Sequence, residues 1–178
     1  IRTGNDPQPR SNAWALAGAK TATGKPILAN DPHLEFALPS PWYLVALKAP
    51  GLDVTGAAIV GLPAVITGHN DRIAWGVTNL QFDVQDLIHE QGNLSVNLQR
   101  SAISVKGSPA RPITLGVTRN GPLFVAESSN QYALRWTANQ PGAFTFPFLD
   151  IDRAHNWNEF RAALERFGGP AQNFVYAD

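Results

Sequence analysis

The chain has 178 residues, 44% of them hydrophobic, which is enough for one domain with a sizeable core. Lys+Arg and Asp+Glu balance at 14 each, charged residues make up only 16%, and no basic run of five occurs, so nucleic acid is excluded as an expected partner. The absence of Cys excludes a disulfide framework and thiolate metal sites, and the longest apolar stretch, "GAAIVGLPAVITG", is too short and too broken by Gly and Pro to cross a membrane as a helix.

The chain contains no Met and begins at Ile1, so it reads as a piece of something longer. Residues 1–10, "IRTGNDPQPR", lack periodicity and read as a spacer or linker, ahead of one domain expected over 11–178. At Ser11 the pattern turns β-like. "NAWALAGA" and "PILAN" read as strands joined through the turn "TATGKP", and "ANDPHL" reads as a strand ending in an Asx-Pro turn. "WYLVALKA", "DVTGAAIV", "AVITG", "RIAWGVT" and "VQDLIHEQ" continue as short strands, with "HND" as a hairpin turn and Trp75 packing inward. Further strands are predicted at 101–106, 111–118 and 131–137. A short helix near 143–152 precedes the one clear amphipathic helix, "NWNEFRAALERFG". There Trp157, Phe160, Ala163, Leu164 and Phe167 fall at helical spacing, and Gly168 is expected to cap the end. "QNFVYAD" reads as a strand cut off in progress.

Standard catalytic signatures are absent. The four His, at 33, 69, 89 and 155, make no H-E-x-x-H spacing for zinc, and there is no G-x-S-x-G elbow, P-loop or G-x-G-x-x-G. A lone His is ordinarily a surface or satisfied core residue. "DVQD", residues 83–86, puts two carboxylates three apart with main-chain carbonyls between them, a set that suits an oxygen-seeking ion and equally the end of a strand. Taken singly, Ser11 is a loop serine and each of these patterns is local structure.

In combination and in order they say more. "SNAW", "GAKTATGKPILANDPHL", "PWYLVAL", "GHNDRIAWGVTN", "DVQDL" and "QNFVYAD" together resemble the start of the β-chain of the penicillin amidase family, over Ser11 to Asp178. The resemblance implies an α+β fold, the N-terminal nucleophile hydrolase αββα sandwich of antiparallel sheets between helical layers, only partly represented in this chain. It implies an amidohydrolase that cuts its own precursor immediately before Ser11 and then attacks N-acyl amides, such as penicillins or acyl-homoserine lactones, through an acyl-serine intermediate. The chemistry is sound: a free α-amino group titrates near about 7.7–8.0, so the serine that bears it carries nucleophile and base together.

Site residues follow from the same resemblance. Asn79 matches the position whose main-chain N–H stabilises the oxyanion. His33 falls where family members carry Gln or His, and is assigned to orienting the terminal amine and the leaving group. Leu34 and Thr67 fall at acyl-pocket positions and suit an aliphatic acyl group better than a benzyl one. Asp83 and Asp86, with the main-chain carbonyl of Gln85, match a structural calcium site whose further carboxylate comes from the separate α-chain. The α-chain and the rest of the β-chain, which carries an Asn and an Arg of the active centre, are the expected partners. A periplasmic or secreted location is implied. Arg10 departs from the pattern, because the residue before the nucleophile is usually small; with the bond after Arg10 intact, Ser11 has no free amine. The alternative from another class is a secreted β-rich module that binds a ligand without chemistry.

Overall fold

Alternating apolar and polar residues, punctuated by Gly, Pro and Asn, fold most of the chain into antiparallel hairpins. The computed structural model describes residues 10–34, 37–80, 82–125 and 130–178. Its first six strands are β1 (Arg10–Leu16), β2 (Ile27–His33), β3 (Trp42–Ala49), β4 (Leu52–Ile59), β5 (Thr67–His69) and β6 (Ala74–Asn79). The next five are β7 (Gln85–Glu90), β8 (Asn97–Val105), β9 (Ser108–Thr118), β10 (Gly121–Val125) and β11 (Gln131–Trp136). Two helices, α1 (Phe148–Asp152) and α2 (Trp157–Leu164), precede β12 (Gln172–Ala177). Antiparallel sheets with few helices make the fold α+β, as the sequence predicted.

The chain divides into two compact units. One holds β1–β6, α1, α2 and β12, and the other holds β7–β11. In the first, β1 and β2 form a two-stranded ribbon, and the five-stranded sheet runs β12-β6-β5-β4-β3. In the second, a five-stranded sheet runs β7-β11-β10-β9-β8.

The core of the first unit sits between its sheet and the two helices. Val54, Val65, Ile66, Ile73, Trp75 and Val77 meet Phe148, Ile151, Phe160 and Ala163, all buried. Trp75 is fully enclosed, as expected, and its indole N–H reaches the carbonyl of Ile66 at 3.1 Å. Phe167 stands edge-on to Phe148 and Phe174 at 5.7 and 5.4 Å, the arrangement that ring quadrupoles favour. At the "HND" turn, the side-chain oxygen of Asn70 accepts the N–H groups of Arg72 and Ile73, both at 2.9 Å. Its amide nitrogen donates to the carbonyls of Asp152 and Ala154 at 3.1 and 2.7 Å, so one side chain ties the hairpin to the end of α1.

Several local expectations are corrected. Asn30, Asp31 and Pro32 do not form an Asx-Pro turn; they continue β2 to His33, because the Asn30 amide is engaged across strands and not by its own turn. The predicted strand "AVITG" begins only at Thr67, since the N–H of Val65 goes to the Asp152 carboxylate. α2 ends at Leu164: the N–H groups of Arg166 and Phe167 turn back to Ala163 and Leu164, and Gly168 bonds to the carbonyl of Thr145, so it caps nothing. The helix near 143–152 shrinks to the single turn of α1 after Pro147. β8 and β9 begin earlier than predicted, and β10 was not foreseen.

Candidate active site

Ser11 lies in β1 opposite Pro32 of β2, and the pairs Arg10↔His33, Asn12↔Asp31 and Ala13↔Asn30 flank it. Side chains alternate along a strand, and paired residues share a face. Ser11, Ala13, Asn30 and Pro32 therefore occupy one face of the ribbon, and Asn12, Asp31 and His33 the other. The first face looks toward β6: the Asn30 amide bonds to both main-chain groups of Val77 there, at 2.9 and 3.0 Å. Ser11 is half-buried on this side.

His33 is held elsewhere. Its Nε2 lies 2.6 Å from the carboxylate of Asp31 on the exposed face, with half of the His33 side chain accessible. The ribbon thus pairs His33 with Arg10, next to Ser11 in the ladder, and turns its ring to the face opposite Ser11.

Asn79 ends β6 two residues beyond Val77, opposite Gln172 of β12, and the pairing continues as Leu80 N–H donates to Ala171 at 3.2 Å. Thr67, predicted to line an acyl pocket, has its hydroxyl within 2.7 Å of Asn30 Oδ1 and 3.1 Å of the carbonyl of Trp75. Leu34 follows β2 and is exposed. An apolar cavity of about 120 Å³ lies in this unit, lined by Trp42, Ile66, Val77, Phe148, Phe167 and Gln172 among others, and neither Leu34 nor Thr67 contributes to it. Its residues Val77 and Gln172 adjoin Asn79, along the strand and across it.

In the second unit, Asp83 precedes β7, and Gln85 and Asp86 open it opposite Trp136 and Arg135. All three are exposed. Hard oxygen donors suit calcium, which takes about six to eight of them. Two carboxylates and one carbonyl are too few, and among the described residues no group of three acidic or His side chains could hold an ion. The donors fit calcium in kind but do not by themselves complete its shell.

The sequence profile of the family described as Penicillin amidase matches residues 3–178. The chain belongs to the penicillin amidase family. It is 34% identical over 191 residues to the acyl-homoserine lactone acylase QuiP of Pseudomonas fluorescens (strain Pf0-1), covering 94% of this chain and 23% of that protein. It is 34% identical over 137 residues to the penicillin acylase 2 proenzyme of Pseudomonas sp. (strain SE83), covering 70% of this chain and 18% of that protein. Among solved structures, the thermostable penicillin G acylase from Alcaligenes faecalis superposes with a TM-score of 0.73 at 25% identity, over 93% of this chain and 33% of that one. This penicillin amidase chain thus spans less than a quarter of the curated relatives it matches.

Asn30 is the residue that motif reading missed. A single Asn in an extended segment carries no signature of its own, because its partners Asn12, Thr67 and Val77 are scattered over 65 positions and meet only in the fold.

Proposed function

We propose that the chain is the front part of the catalytic β-chain of an N-terminal nucleophile amidohydrolase acting on small N-acyl amides. The observation that carries this reading is that Ser11 faces the β6 side of its ribbon, and β6 ends in Asn79.

The chemistry runs as follows once the bond before Ser11 is cut. Ser11 Oγ attacks the amide carbonyl as its proton passes to the α-amino group. The main-chain N–H of Asn79 stabilises the oxyanion. Collapse breaks the C–N bond, and the amine leaves with that proton. Water then attacks the acyl ester, one of its protons passes by way of the α-amine to Oγ as the acyl C–Oγ bond breaks, and the carboxylic acid is released. His33 stands across from Arg10, so its main chain is the neighbour that orients the new amine. The cavity beside Val77 is apolar and suits an aliphatic acyl chain. The calcium site of Asp83, Asp86 and the Gln85 carbonyl takes a further carboxylate from the α-chain. Leu44 and Val60, 88% and 71% exposed, are apolar surface of the kind that the α-chain and the rest of the β-chain would cover.

Ser11→Ala in the full-length protein tests the reading. Loss of both self-cleavage, read by intact mass, and N-acyl amide turnover is expected. A variant that retains its functional activity would instead favour a binding module. Comparing phenylacetyl with long-chain acyl amides tests the acyl preference, and a clear phenylacetyl preference would overturn that part.

A further inference from the structure

Asn30 is the side chain through which β5 and β6 of the first unit meet the ribbon. Its Nδ2 donates to the main-chain carbonyls of Asn12 and Val77, both at 2.9 Å. Its Oδ1 accepts the N–H of Val77 at 3.0 Å and the hydroxyl of Thr67 at 2.7 Å. Both N–H donors and both lone pairs of the amide are used.

The arrangement answers a gap in the ladder. β5 pairs with β6 only through Gly68↔Trp75 and His69↔Ala74. Beyond that point the Asn30 amide bonds both main-chain groups of Val77, as a peptide group of a neighbouring strand would. Leu80 N–H points to β12, and main-chain groups alternate along a strand, so the N–H of Asn79 faces the same edge of β6 as that of Val77. β6 makes room at Gly76, where a Cβ would come within 2.9 Å of Asn30 Cβ and 3.1 Å of its Cγ.

We propose that Asn30 is a positioning residue for acyl transfer: its amide fixes the nucleophile strand, at the carbonyl of Asn12 beside Ser11, against the oxyanion strand, at Val77 two residues before Asn79. The proposal rests on the amidohydrolase reading above. Asn30 touches no reacting atom. It holds the separation between two strands whose groups must act on one carbonyl, and a misplacement of about 1 Å costs roughly 10²-fold in rate.

The test uses the full-length protein with Asn30→Ala, Asn30→Asp and Thr67→Val. Asn30→Asp keeps the acceptors and the shape but loses both donors, releasing Asn12 and one group of Val77. Thr67→Val removes only the hydroxyl. Turnover of a chromogenic N-acyl p-nitroanilide is measured per nucleophile titrated with a sulfonyl fluoride, below each variant's melting temperature. The expected result is a kcat lower by roughly 10²-fold in both Asn30 variants with KM changed by less than about 3-fold, and a smaller loss in Thr67→Val. Should the Asn30 variants fold without self-cleaving, Thr67→Val carries the test: a lower kcat per site at near-unchanged KM supports the proposal, and an unchanged kcat per site overturns it. A merely structural role would lower the number of titratable sites and leave kcat per site within about 3-fold of wild type, and that outcome overturns the proposal. Should Asn30→Ala not fold, the near-isosteric Asn30→Asp carries the test. Wild type without turnover, or Ser11→Ala as active as wild type, sinks the amidohydrolase reading and this proposal with it. Normal Asn30 variants beside a dead Ser11→Ala sink this proposal alone.

Discussion

The carboxylate of Asp152 accepts the main-chain N–H of Val65 at 3.0 Å, joining α1 to the segment that leads into β5. The bond lies inside the core, and the second oxygen of Asp152 has no partner there among the described residues. Burial pushes the Asp152 carboxyl up to about 7, against the opposing pull of the Val65 N–H and the Arg153 charge.

A pH dependence follows. In the unfolded chain the carboxyl titrates near its ordinary 3.8, so between pH 3.8 and about 7 the folded state binds more protons than the unfolded one. The contribution of Asp152 is full below that window, falls as pH rises through it, and is flat above. The melting temperature of wild type minus that of Asp152→Asn should therefore decline from pH 5 to pH 8. A difference that rises over that range would contradict the assignment.

The start of α2 offers a second test. Asn156 Oδ1 accepts the N–H of Glu159 at 3.0 Å, while the Glu159 carboxylate takes the His155 N–H at 2.7 Å and the Asn156 amide at 2.9 Å. This is a reciprocal cap, and it holds the Glu159 carboxyl below the usual carboxylate range, chiefly through the His155 N–H. Asn156→Ala should cost about 1 kcal/mol in chemical denaturation, whereas Asn156→Ser, which keeps an oxygen for the Glu159 N–H, should lose only a fraction of that.

Gly68 faces Gly56 across β4 and β5. A Cβ on Gly68 would strike the carbonyl oxygen of Thr55 and come within 2.8 Å of Gly56 Cα. Both obstacles are backbone, so the strands must part. Gly68→Ala should destabilise the protein by roughly 3 kcal/mol, seen as a lower denaturation midpoint at unchanged m-value. A loss under about 0.5 kcal/mol would mean that the two strands separate without cost.

For the proposed calcium site, chelation should lower the melting temperature of the full-length protein, and added calcium should restore it. Asp83→Asn combined with Asp86→Asn should abolish that response, because neutral amides leave an ion of this kind without its charged ligands. A calcium response that survives the double substitution would move the site elsewhere.

The hairpins around Trp42–Ile59 and Ala74–Asn79 were legible because β-branched and aromatic runs there end at Gly, Pro or Asn. α2 was legible from the spacing of Phe160 and Ala163, but its end was not. The chain leaves the helix through backward bonds at Arg166 and Phe167, which no residue type announces. β10 escaped notice because "GPLFV" is five residues long and hidden behind a Gly. Of the candidate site, Ser11, His33, Asn79 and the "DVQD" carboxylates could be named only through several motifs in order. The grip of Asn30 lay beyond any local pattern, since it substitutes for a missing stretch of strand.

The ribbon that carries Ser11 has seven rungs, from Arg10↔His33 to Leu16↔Ile27. A cut before Ser11 takes away only the outermost and leaves six closed. Under the proposed cut the new terminus would not be a loose end that must search for its place, since the ordering of its backbone, worth about 1–2 kcal/mol for each residue fixed, would precede the cut. The proposed maturation would then unlatch a side chain's neighbour and leave the six remaining rungs as they stand.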